Sequence, residues 1–121
     1  MSTDPYSTTV RALFGAPAHA GDADGGKSVL VDEQDVRVRL AATSTESRIS
    51  AMRFRAWGCP HVIAACEAAC AGLEGQPVAA LLEFSGSDLM ENLPVPVEKR
   101  GRILVLEDAV RSLGLQFRDD T

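Results

Sequence analysis

The chain has 121 residues, 17 acidic against 12 basic, for a net charge of -5; 45% are hydrophobic, 24% charged and 5% aromatic. A chain of this length buries about two-thirds of its unfolded surface, enough for one core, and that core must be built mainly from Val, Leu, Ile and Ala. The acidic balance excludes non-specific nucleic-acid binding, and no apolar run reaches the roughly 18–20 residues that cross a bilayer.

The opening MSTDPYSTTV has neither a basic stretch nor an apolar one, so it reads as carrying no secretory signal, and a cytoplasmic protein is expected. Three cysteines, Cys59, Cys66 and Cys70, in such a chain argue for reduced thiols over a disulfide framework. One domain over 1–121 is expected.

Asp4-Pro5 predicts a helix start, with Val10, Leu13 and Phe14 on its apolar side and Gly15 at its end. Residues 15–27, rich in Gly, Ala and Asp, read as a flexible loop. Ser28–Val31 predicts a strand. Val36, Val38 and Leu40 then alternate with Arg37 and Arg39, and Met52, Phe54 and Ala56 alternate with Arg53 and Arg55. Ser44–Ser47 supplies the turn between these two strands. The arginine face reads either as a docking face for an acidic partner or as a solvated sheet face.

From Pro60 the period becomes helical, through an alanine-rich stretch to Gly75. A short helix is expected after Gln76-Pro77, and another after the Ser85…Asp88 capping pair. A loop from Asn92 to Gly101 precedes the last helix, where Ile103, Leu106, Val110 and Leu113 share a face. Gly114 is expected to close it, leaving 115–121 as a frayed tail. This order predicts an α+β fold, a small antiparallel sheet of about three strands with helices packed on one face.

The chemistry concentrates at Trp57-Gly58-Cys59-Pro60. Cys59 falls where a strand ends and a helix begins, and there the unpaired N–H groups and the helix dipole favour a thiolate. The other reading is an inert buried cysteine. Cys66 and Cys70, four apart among alanines, read as small core residues. His61 is expected to point away from the Cys59 sulfur, and His19 to be solvated in its loop.

The run RFRAWGCPHVIAACEAACAGLEGQPVAALLEF, the segment ILVLEDAV, and the N-terminal Tyr6-Ser7, Val10, Phe14, Pro17 and Gly21 together resemble the IscU/NifU-type iron–sulfur cluster assembly scaffolds. The resemblance covers nearly the whole chain. It implies a non-enzymatic scaffold that binds a nascent iron–sulfur cluster or zinc, and it implies a cysteine desulfurase and an Hsp70-type chaperone as partners. Residue by residue, the family's ligating aspartate falls on Asp35 and its second cysteine on Cys59. Its first cysteine falls on Glu33, its third on Arg102, and the histidine before that on Gly101. The chaperone-binding segment survives as Val95, Pro96 and Lys99.

Clusters of this kind are held by several thiolates, so the implied metal set is reduced to Cys59, Asp35 and Glu33, with a fixed cation in place of a ligand. Full occupancy by a cluster or zinc is therefore not expected. Three readings follow: a sulfur acceptor or docking partner in cluster assembly, an interaction protein that kept the fold without the metal, and, last, a thiol enzyme such as a peroxidase. Glu33, Asp35, Cys59 and Arg102 are expected to converge in an ion cluster in which the guanidinium replaces the metal.

Overall fold

The structure is a computed structural model that describes residues 17–21, 26–33, 36–57, 59–93 and 95–119. The helix expected at Asp4-Pro5 and the ligand position Asp35 lie outside these residues.

Three strands, β1 (Lys27–Glu33), β2 (Val36–Thr45) and β3 (Arg48–Trp57), form one antiparallel sheet in the order β1-β2-β3. β2 and β3 meet in a two-residue turn, Glu46-Ser47, both with positive φ (53° and 65°), the conformation whose twist matches a hairpin. The alternation expected from sequence is the observed one. Val36, Val38, Leu40, Met52 and Phe54 are buried on one face, while Arg37, Arg39 and Arg55 are exposed on the other. Arg53 is half-buried, because its guanidinium bonds the Glu74 carboxylate at 2.6 Å.

The helices lie on the apolar face: α1 (Pro60–Leu73) against β3, and α3 (Arg100–Asp119) against β1 and β2. Between them come a 3-10 turn at Val78–Leu81, the short α2 (Gly86–Asn92) and a second 3-10 turn at Val97–Lys99. Pro60 opens α1, and the Ser85 hydroxyl accepts the Asp88 N–H at 3.2 Å to start α2. Cys66 and Cys70 are fully buried on α1 beside Val62, Ile103, Leu106 and Val110 in one core cluster.

Two boundaries expected from sequence are corrected. Gly114 does not end the last helix; α3 continues to Asp119. A Cβ at Gly114 would come within 2.9 Å of the Leu81 Cβ, so the glycine allows α3 and the 3-10 turn to approach closely. Nor is 115–119 a frayed tail. Phe117 is buried, and the Gln116 amide donates to the Ser28 carbonyl at 2.8 Å. The stretch expected as a flexible loop also holds an ordered part. His19 and Gly21 exchange backbone hydrogen bonds with Phe54 at 3.0 and 2.8 Å, extending the sheet beyond β3.

His19 in that stretch is not solvated. Its imidazole Nδ1 pairs with the Glu67 carboxylate, its own N–H donates to Glu67 at 2.6 Å, and its Nε2 lies 3.6 Å from Glu74. Glu67 is otherwise buried, and a buried carboxylate without partners is costly. The contact spans 48 residues of chain, which is why no local pattern announces it.

Candidate functional site

One end of the sheet gathers the residues of interest. Glu33 pairs with Val36, and Arg37 pairs with Trp57, so the end of β1, the start of β2 and the end of β3 lie side by side. The Arg37 guanidinium stacks over the Trp57 ring at 5.1 Å, where the indole is half-exposed. Two residues beyond Trp57, Cys59 caps α1.

Cys59 has extended backbone angles, φ -61° and ψ 124°, and stands just outside the helix with no side-chain cap. Burial pushes its thiol up. That push is outweighed by the N–H groups of Val62 and His61, the Arg102 guanidinium and the nearby Lys99 ammonium, so the net pKa is lowered. This is the thiolate-favouring helix start expected from sequence. Cys66 and Cys70 behave in the opposite way, with burial foremost in raising both thiols, and remain protonated core residues.

Arg102 stands in the first turn of α3 and Lys99 ends the 3-10 turn just before it, and both cations lower the Cys59 pKa. Glu33 is exposed at the end of β1 and enters no ion pair among the described residues. Asp35 lies outside the described residues, and among those described no ion pair joins Glu33 to Arg102.

His61 is a correction. Its Nδ1 lies 3.8 Å from the Cys59 Sγ, and the ring is buried at 3% exposure. Two residues within a helix point to opposite sides, but Cys59 is not helical; the chain turns there, and the sulfur faces back over the first turn. The usable signal in the sequence was Pro60, which fixes the first helical position and leaves Cys59 outside. Burial, then Lys99, lowers the His61 pKa, with Arg102 adding to this and Glu98 opposing it. The ring is neutral at pH 7.

Of the segment matched to chaperone binding, Val95 is buried, Pro96 half-buried and Lys99 half-buried beside Cys59. Val97, between them, is 76% exposed.

A family model described as the NifU-like N terminal domain matches residues 5–117. The chain belongs to this family. Among solved structures, the NifU-like N-terminal protein from Brucella abortus is 14% identical, covers 95% of both chains, and superposes with a TM-score of 0.69. A putative iron–sulfur cluster assembly scaffold protein for the SUF system from Fervidobacterium islandicum AW-1 is 15% identical, with TM-score 0.59, covering 87% of this chain and 81% of its own. A hypothetical protein is 19% identical, with TM-score 0.58 and coverages of 88% and 87%. At these identities the likeness is one of fold. No curated protein matches the sequence.

Within this NifU-like frame, the donor chemistry fits an iron–sulfur cargo poorly. Cluster irons take several thiolates, and Cys59 is the single thiolate candidate, since Cys66 and Cys70 are sealed in the core. No group of three or more His, Cys, Asp or Glu among the described residues is arranged to hold a metal ion. Arg102 and Lys99 instead bring positive charge toward the sulfur, which opposes a cation there. No helix among these residues is long and apolar enough to cross a membrane.

Proposed function

We propose that this NifU-like protein serves iron–sulfur cluster assembly by accepting sulfur on Cys59, rather than by holding a complete cluster or a zinc ion. The observation that carries the reading is the half-buried Cys59 thiol at the start of α1, outside the helix, while Cys66 and Cys70 are sealed in the core; a lowered pKa at Cys59 supports it. Sulfur acceptance needs one activated thiol, whereas a cluster needs several. The thiolate attacks the outer sulfur of a partner's persulfide. An S–S bond forms to Cys59, the partner's S–S bond breaks, and the partner's thiolate leaves and takes up a proton. The protein's own role is stoichiometric, as carrier, and the partner that the family implies is a cysteine desulfurase, with an Hsp70-type chaperone at Val95, Pro96 and Lys99. Asp35 and Glu33 are assigned no metal in this reading.

Mixing the protein with a desulfurase and L-cysteine, followed by mass spectrometry, tests it. The Cys59 peptide should gain one sulfur atom, and Cys59→Ser should gain none. Purified protein should carry far less than one zinc or iron per chain. Failure of sulfur transfer, or a stoichiometric [2Fe–2S] chromophore, refutes the proposal.

The second reading is an interaction protein that kept the fold and dispensed with sulfur chemistry. It is favoured by the outer sheet face, where Arg37, Arg39 and Arg55 are exposed with Leu30 and Trp57. It predicts an unreactive Cys59 in the same experiment.

A further inference from the structure

The outer face of the sheet carries two rows of side chains. The strand register sets Leu30, Arg39 and Arg55 side by side, and Asp32, Arg37 and Trp57 side by side in the next row. Both rows point away from α1 and α3, which pack on the opposite face. Leu30 is 58% exposed and Trp57 48%, and the three arginines are exposed between them. Like charges directly opposite one another across a ladder repel, and Arg39 stands opposite Arg55. A face that had only to meet water would be served as well by mixed charges. The chain as a whole is acidic, at net -5, yet Asp32 is the one acid among these six residues.

We infer that this face docks an acidic protein partner, whose carboxylates pair with Arg37, Arg39 and Arg55 while an apolar side chain between them seats against Leu30 or Trp57. The two rows lie about 7 Å apart, the spacing of alternate residues in an extended segment. Carboxylates at alternate positions of such a segment therefore meet a guanidinium from each row. A guanidinium has five N–H donors in a planar fork, so one that already bonds a neighbour still takes a carboxylate on its other edge. The Arg37 guanidinium lies 5.1 Å from the Trp57 ring, a contact that lowers the cost of ordering that side chain when a partner arrives. A nucleic acid fits less well, because its continuous negative charge meets both Asp32 and an acidic chain. A second copy, joined through this face about a two-fold axis, would bring arginines onto arginines. The inference is independent of what Cys59 does.

The test uses the full chain and a fluorescein-labelled peptide that alternates Glu with Leu, read by fluorescence anisotropy. Peptides with Gln or Lys in place of Glu are the comparison. The Glu peptide should bind and the other two should not. Binding should weaken as salt rises from about 0.1 to about 1 M, where screening shortens from about 10 Å to about 3 Å. Arg39→Glu and Arg55→Glu should each weaken it about fivefold or more, and Arg39→Lys should keep part of it. Arg100→Glu, at an exposed position in the first turn of α3, should change it little. Circular dichroism checks that each variant is folded. Equal binding of the Glu and Gln peptides, or unchanged affinity in both charge-reversed strand variants, overturns the inference. So does tighter binding of oligo(dT) or of phosphatidylglycerol vesicles through the same arginines, or a self-association of the chain that Arg39→Glu abolishes. Sulfur loading of Cys59 is read in its own assay, so either proposal can fail while the other stands.

Discussion

Gly114→Ala sets two known effects against each other at one position. In a helix interior, alanine is favoured over glycine by about 0.5–1 kcal/mol, because glycine gives up more backbone freedom on folding. Here, however, the new methyl would meet the Leu81 Cβ at 2.9 Å and two Leu82 carbons at 3.1 Å. The Leu81 Cβ is fixed to the backbone of a 3-10 turn in a fully buried residue, so it cannot swing aside as a side-chain tip would. Overpacking of this sort costs about 1–3 kcal/mol. The difference leaves Gly114→Ala destabilised by about 1 kcal/mol, a fall in Tm of about 4 °C for a domain of this size. Gly72 on α1 is the control, since a Cβ there meets nothing within 4 Å. Gly72→Ala should therefore gain most of the helix preference and raise the Tm by a few degrees. Thermal and urea unfolding of both variants measures the contrast. If both substitutions shift stability in the same direction, the close approach at Gly114 is not what holds glycine there.

Glu74→Gln removes the 2.6 Å ion pair with Arg53 and weakens the 2.9 Å acceptance of the Met52 N–H, and should cost about 1 kcal/mol in urea unfolding. Burial pushes the Glu74 carboxyl up, but the Met52 N–H and Arg53 outweigh it and set it below its ordinary value. Its contribution is therefore complete above the usual carboxylate range and lost as pH falls through the lowered pKa, and the Gln variant should lose less stability than wild type on acidification. Titration with a thiol reagent near neutral pH should find one fast cysteine, Cys59, with Cys66 and Cys70 reacting only after denaturation. Arg102→Cys should remove a charge that acts on Cys59, raise the Cys59 pKa and gain some zinc affinity; if thiol reactivity against pH and zinc affinity are both unaltered, the guanidinium has no part in the site.

The sheet was legible because its signal is local. Val36, Val38 and Leu40 against Arg37 and Arg39 can satisfy a buried face in one register only, since a slip of one residue would bury the arginines. The α1 start was equally plain, for Pro60 suits a first helical turn and little else. What local pattern could not supply was contact between distant segments. Gly114 looks like a stop until Leu81, 33 positions earlier, is seen pressed against it. His19 looks like a loop residue until Glu67 is seen to need it. At the site, Cys59 was legible at its strand-to-helix junction and Arg102 through the family's pattern, while His61 was misplaced by treating Cys59 as already helical. Glu33 matched a ligand position in sequence, yet its carboxylate ends on the exposed rim.

A sheet of three strands has two borders, and unpaired backbone along a border invites another chain to add on. This protein spends short pieces of itself on both. Along β3, His19 and Gly21 occupy the hydrogen-bonding groups of Phe54, and the Glu67 carboxylate pins that patch in place. Along β1, the Gln116 amide takes the Ser28 carbonyl. The His19 imidazole fastens the patch over β3 beside backbone bonds to Phe54 and Glu67, so removing that side chain would loosen a border rather than hollow a core. The consequence to look for in a His19→Ala variant is self-association through added strands, with little change in the packing beneath.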